Sequence, residues 1–334
     1  MSITLQRPRL RRPMLLAAAG GGLVAIAAGA GFFALNTRGP AAHFVEYAVH
    51  EASQMPTAIA TGSDGAVWFT IDLGDAIGRL RDGRIEFLPT GLKLIEPVGL
   101  AAAPDGSAWF TDNAAHSVSR VAVSGEVTRI PLDTPSVRLG RLAVGANGAV
   151  WFAEGTGYSI SEIRDGRLIR HIYDSPRGGP YGVAVAPDGT AWASLQSGDQ
   201  IVRVGTDGAV KAFDLPSAAS VPSDVAIGPD GAVWFLEYRT NSIGRLVGDD
   251  IQEFRVDERA VGLSGLAVAA DGAVWFGLLR EGSLGRLRDG QIVRFRLPRS
   301  RAKPYTVAID RDGNIWYADI TGYIGMLPAA DAKQ

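Results

Sequence analysis

The sequence predicts an all-β chain: a seven-bladed β-propeller of four-stranded antiparallel blades, closed by an N-terminal strand that completes the last blade. Three observations carry this. A turn pair and a tryptophan recur together seven times, at Asp64-Gly65 with Trp68, Asp105-Gly106 with Trp109, Asn147-Gly148 with Trp151, Asp188-Gly189 with Trp192, Asp230-Gly231 with Trp234, Asp271-Gly272 with Trp275 and Asp312-Gly313 with Trp316. Successive tryptophans are 41, 42, 41, 42, 41 and 41 residues apart, the period of one four-stranded blade. The seventh repeat stops seven residues after Leu327 and lacks a fourth strand, whereas a spare strand-like segment, Phe44 to Val49, stands before the first. Joining the two leaves no open sheet edge at the seam.

In chain order, residues 1–42 read as an export signal or N-terminal membrane anchor. They carry Arg7, Arg9, Arg11, Arg12 and Arg38 and no acid, and Met14 to Leu35 is a run of 22 residues without a charge. As a helix that run would span roughly 33 Å, enough to cross a bilayer. Arginines ahead of it place the N-terminus in the cytoplasm and the rest outside, periplasmic or extracellular. Arg11-Arg12-Pro13-Met14-Leu15-Leu16 resembles a twin-arginine export signal, and Gly39-Pro40-Ala41 is the best-placed small-residue cleavage site.

Residues 43–328 read as the propeller. In the first repeat, Pro56 to Thr61 is a strand of small and β-branched residues, Ser63-Asp64-Gly65 a hairpin turn, and Ala66 to Thr70 the second strand. Ile77 to Leu80 is the third strand, Arg81-Asp82-Gly83 a turn, and Arg84 to Leu88 the fourth. A large ring at one position of every second strand reads as packing between blades. Residues 329–334 read as a C-terminal tail.

Apolar residues make up 46% of the chain and charged residues 20%, ample for a core. With the five N-terminal arginines removed, 28 basic residues face 35 acidic ones, so the body is acidic and has no electrostatic case for nucleic acid. Membrane contact is expected only through the N-terminal segment, and the body as a monomer. The absence of cysteine excludes disulfides and thiolate metal sites.

Strands alternate in direction, so the uniform Asp-Gly hairpins share one face and the variable loops the other. Binding loops vary where scaffolding turns do not, which places function on the variable face. Two series of positions are expected at its channel mouth. One opens the first strands: Thr57, Val98, Gly140, Tyr181, Ser223, Ser264 and Tyr305. The other lies three residues past each tryptophan: Ile71, Asp112, Glu154, Leu195, Glu237, Leu278 and Asp319, with Asp72 one further on. Asp112, Glu154, Glu237 and Asp319 are candidate ligands for Mg²⁺ or Ca²⁺, which favour oxygen donors. Tyr181, Tyr238, Tyr305 and Tyr158 are candidates for an aromatic wall against an apolar or cyclic ligand. His116 is the one histidine of four placed to face the mouth.

Trp109-Phe110-Thr111-Asp112, then Asn113-Ala114-Ala115, a third strand of the type Ile243-Gly244-Arg245-Leu246, and Ile85 to Thr90 as a closing strand, together resemble the streptogramin B lyase (virginiamycin B lyase) family over residues 44–327. The resemblance implies a seven-bladed monomer that linearises a cyclic depsipeptide by elimination at its ester, with Mg²⁺. It also implies two histidines and two acids at the positions occupied here by Ser264, Tyr305, Lys303 and Ile320, none of which matches. The leading expectation is therefore a module binding a small molecule, protein or peptide at the mouth. The alternative is a metal-dependent lyase or hydrolase acting on a cyclic ester.

Overall fold

In the computed structural model, residues 32–33, 35–39, 42–49, 55–134, 137–172 and 178–333 are described. Seven four-stranded antiparallel sheets form a closed ring. The innermost strands run Met55–Thr61, Pro97–Ala102, Leu139–Val144, Pro180–Val185, Pro222–Ile227, Leu263–Val268 and Pro304–Ile309. Each lies beside the next, and the seventh returns to the first.

The seam forms as the spare strand requires. Val45–Ala48 runs antiparallel to Tyr323–Leu327, pairing Val45 with Met326 and Tyr47 with Ile324. Side chains lock it. Glu46 accepts the Tyr317 hydroxyl at 2.7 Å and Arg299 Nε at 3.0 Å, and Tyr47 stacks on Trp316. Further upstream, Phe32–Phe33 and Leu35–Arg38 add parallel strands to the outer edges of blades five and six. The export-signal reading otherwise lies outside the described residues. Among the described residues no helix is long and apolar enough to cross a membrane. The expected tail is instead a helical turn, Ala329–Ala332, whose Asp331 accepts the His43 N–H and whose Ala332 is buried.

Seven apolar cores lie between successive blades, one per interface. Every tryptophan packs into the core shared with the following blade, and Trp316 packs against blade one. The arginine of the third strand crosses the indole beside it: Arg79 over Trp68, Arg245 over Trp234 and Arg286 over Trp275, at 5.2 to 5.8 Å. The glycine before that arginine is required. A Cβ on Gly78, Gly244 or Gly285 would stand 2.0 to 2.3 Å from the ring of Phe69, Phe235 or Phe276 on the adjacent strand.

The Asp-Gly hairpins follow their chemistry. The carboxylate accepts the backbone N–H two residues on, at 2.9 to 3.2 Å in Asp64, Asp105, Asp188, Asp230 and Asp271, while the glycines sit at φ of 79° to 88°. In the last blade Asp310 takes over, accepting from Asp312, Asn314 and the Trp316 indole.

Candidate functional site

Each innermost strand opens at the variable face, in four blades on a proline, and carries a bulge soon after. The bulge turns the residues that open the strands toward the axis. The first series expected from sequence does line the mouth: Thr57 and Val98 border a cavity of about 420 Å³, Gly140 one of about 500 Å³, and Ser223 and Ser264 one of about 230 Å³. Tyr181 borders all three, and Tyr305 the two of 230 and 420 Å³. The two phenols are neighbours on that wall. Burial, followed by the neighbouring Tyr305 and Asp224, holds the Tyr181 phenol above its ordinary value against the opposing pull of Arg141.

Tyr238 stands half exposed on the wall of the 230 Å³ cavity, its N–H held by the Val221 carbonyl. Tyr158 lines the 500 Å³ cavity. His116 lines none of the three; it sits in the turn between the second and third strands of blade two at φ 44°. Its carbonyl accepts Leu132 N–H, and its Nδ1 is buried without a hydrogen-bond partner.

The second series is placed differently from the expectation. Ile71, Asp112, Glu154, Leu195, Glu237, Leu278 and Asp319 are each at most 1% exposed and border none of these cavities. They end the second strand, one layer out from the axis, directly opposite the residue that opens the first: Asp112 faces Pro97, Glu154 Leu139, Glu237 Pro222 and Asp319 Pro304. From there the carboxylates hold their own loops. Asp112 Oδ1 accepts Glu96 and Ala114 N–H, both at 3.0 Å; Glu154 accepts Ser161 Oγ at 2.6 Å and Arg170 Nε at 3.0 Å; Asp319 accepts Arg299 Nη2 at 2.5 Å and Thr321 N–H at 2.8 Å. Asp319 is thus part of the seam.

Among the described residues no three His, Asp or Glu side chains are arranged to hold a metal ion. Asp72 alone of the acids named from sequence reaches the mouth, where burial and the nearby Glu96 raise its pKa against the Leu73 N–H.

Glu237 has a distinct environment. It is fully buried, Thr240 Oγ1 donates to its Oε2 at 2.7 Å, and Oε1 has no hydrogen-bond partner. Burial first, then the neighbouring Glu253 and Asp199, push its pKa up to about 8 despite the Thr240 hydrogen bond. Those two neighbours fasten the 216–221 connection: Glu253 accepts Ser217 N–H and Oγ, and Asp199 accepts Ala219 and Val221 N–H. Ala219 and Val221 both sit at positive φ, 55° and 54°, a strained geometry for a β-branched residue.

Two side chains that the sequence reading passed over occupy the axis itself. Arg141 and Asp224 both border the 230 Å³ cavity, with Arg141 Nε 3.6 Å from Asp224 Oδ1. A signal for them existed. The residue after each mouth position is Ala58, Gly99, Arg141, Gly182, Asp224, Gly265 or Thr306: five small side chains and two of opposite charge.

A model of the virginiamycin B lyase family matches the chain in two overlapping stretches, residues 36–172 and 97–332. The chain belongs to the virginiamycin B lyase family. A virginiamycin B lyase from Nocardia farcinica is 31% identical over 195 residues, which cover 57% of this chain and 66%, just under two thirds, of that protein. A streptogramin B lyase structure superposes with a TM-score of 0.81 at 26% identity, covering 85% of this chain and 97% of that one. A catalytically inactive virginiamycin B lyase from Staphylococcus aureus, determined with quinupristin, superposes at 0.80 and 26% identity over 86% of this chain and 99% of its own. The positions that the family resemblance marks as catalytic are placed without a base. Ser264 Oγ donates to the Pro304 carbonyl at 2.7 Å, Lys303 points to solvent with its carbonyl accepting Ile320 N–H, and Tyr305 lines the mouth beside Tyr181.

Proposed function

We propose that this family member is an exported module that binds a ligand at the channel mouth without cleaving it. The observation that carries the reading is the mouth itself: three cavities meet at Tyr181, lined by phenols, hydroxyls and amides, while the positions for an acid–base pair hold Ser264 and Tyr305. Elimination at an ester needs a group that takes a proton near neutral pH within hydrogen-bond reach of the substrate. A hydroxyl already donating to Pro304 O and a phenol do not supply one.

Quinupristin, the molecule found with the Staphylococcus aureus relative, is the natural probe. Calorimetric titration is expected to show binding, weakened about tenfold or more in Tyr181→Ala, which removes an aromatic wall worth on the order of 1.5 kcal/mol. Elimination leaves the mass unchanged, so turnover is read from chromatographic retention. The cyclic compound should be recovered intact after prolonged incubation with Mg²⁺, and appearance of a linear isomer would overturn the reading. Export follows from the arginines at 7, 9, 11 and 12 ahead of the uncharged run 14–35. Fractionation of cells expressing the full chain, with and without Arg11→Lys and Arg12→Lys, tests it.

A further inference from the structure

Resting on that reading of the mouth, we infer that the 230 Å³ cavity is a subsite for the carboxylate of a small aromatic acid, anchored by Arg141. The guanidinium comes from the innermost strand of blade three and reaches past blade four to blade five. Gly182, the residue of blade four in the same column, lets blade five approach: a Cβ there would stand 2.2 Å from the Ser223 carbonyl oxygen and 3.1 Å from Asp224 Cα. Arg141 is 15% exposed and borders the cavity, and its Nε is buried without a hydrogen-bond partner.

Asp224 keeps the guanidinium charged but does not use its donors. Its Oδ1 is 3.6 Å from Nε, outside hydrogen-bond range, and accepts Val225 N–H at 3.2 Å. Its Oδ2 accepts Leu266 N–H from blade six at 3.0 Å. Burial alone would lower the Arg141 pKa; Asp224, followed by Tyr181 and Tyr305, outweighs it, so the group remains a cation. Asp224 compensates the charge, but the buried Nε–H has no acceptor, and an unmet buried donor is costly.

The chemistry of the missing acceptor follows from what surrounds it. The groups around Arg141 that can still donate are the tyrosine hydroxyls and the Gln196 amide, and the carboxylate of Asp224 is already engaged by backbone N–H groups. An acceptor-only group fits, and a planar carboxylate matches a guanidinium bidentately. Asp224 disfavours a dianion such as a phosphate monoester. The cavity is below the range of about 300–1,000 Å³ that drug-sized ligands occupy, and Tyr181 and Tyr305 wall it, which suits a single ring.

The test uses 4-hydroxybenzoate and its methyl ester, with binding read by saturation-transfer NMR and competition on the full chain. The acid should bind and the ester at least about tenfold more weakly, one charge-assisted contact being worth on the order of 1.4 kcal/mol or more. Arg141→Lys keeps the charge but loses the fork, and should weaken the acid several-fold without matching the ester's loss. Asp224→Asn removes the competing charge and should tighten the acid. Arg141→Gln with Asp224→Asn, which leaves no unpaired charge to unfold the strand, should abolish it, with melting temperature as the control for folding.

Equal binding of acid and ester, or binding unaffected in the double variant, overturns the assignment. Quinupristin measured on the same proteins separates the two readings. If quinupristin binds and the acid does not, only the carboxylate subsite fails; if neither binds, the mouth reading fails with it.

Discussion

At the scale of single residues, the repeats are held by complementary pairs rather than by conserved letters. Phe69, Phe235 and Phe276 each lie over a glycine of the neighbouring strand, while blade four reverses the sizes, with Ala193 opposite Val202. Gly244→Val should therefore destabilise by several kcal/mol, through a clash that the fully buried Phe235 cannot relieve. Adding Phe235→Ala, which copies the pairing of blade four, should recover more stability than Phe235→Ala loses alone; a double-mutant cycle in urea reads the sign.

Glu237 gives a second residue-scale prediction. Its pKa is near 8 in the fold against an ordinary 4.5, so the folded chain holds a proton that the unfolded chain releases between those values. Stability from this group is complete below about pH 4.5 and declines as pH rises through 8. Glu237→Gln, which mimics the protonated acid, should stabilise the fold at pH 8 by an amount on the order of a few kcal/mol, read as a higher melting temperature, and have little effect at pH 4.5. A difference independent of pH would show that the carboxyl is not protonated in the fold. The sequence offered no sight of this. Glu237 was legible as one of four matching acids, but whether an acid meets Arg170, Arg299 or only Glu253 depends on loops whose paths no repeat encodes.

At the scale of the element, the strand from Val45 to Ala48 is the part on which closure rests. Deleting residues 44–49 should lower the melting temperature far more than N-terminal truncations usually do, because it opens a sheet edge and strands Tyr317 and Arg299. Glu46→Ala isolates the side-chain share, and leaving buried Tyr317 without its acceptor, with Arg299 keeping Asp319 and Thr321, should cost roughly 1–3 kcal/mol. A melt unchanged in the deletion would refute the seam. This element was fully legible, since a fourth strand missing at one end and surplus at the other can be counted. The Asp-Gly hairpins and interblade tryptophans were legible for the same reason: short-range chemistry repeated seven times. The bulge that aims the innermost strands at the axis was not, and with it went the depth order that separates Tyr181, in the mouth, from Asp112 and Glu154, behind it.

At the scale of the whole molecule, the ring shows where chemistry can and cannot be. Seven small innermost strands surround an axis that two opposite charges interrupt, and the three cavities meet at Tyr181, with Tyr305 on two of them and Arg141 on one. Closure also makes the fold depend on contacts between distant parts of the chain; Glu46 and Arg299 are 253 residues apart. A circular permutant that starts at residue 55 and joins residue 327 to residue 44 by a short turn makes that contact local. It should refold faster at similar stability, in stopped-flow tryptophan fluorescence, and an unchanged rate would place the slow step elsewhere. The same dependence acts during synthesis. Until the codons for Tyr323 to Leu327 have been translated, the strand that follows the arginine-rich N-terminal segment has nothing to pair with, so a factor that grips unfolded polypeptide near that segment has nearly the whole passage of the ribosome along the message in which to do so.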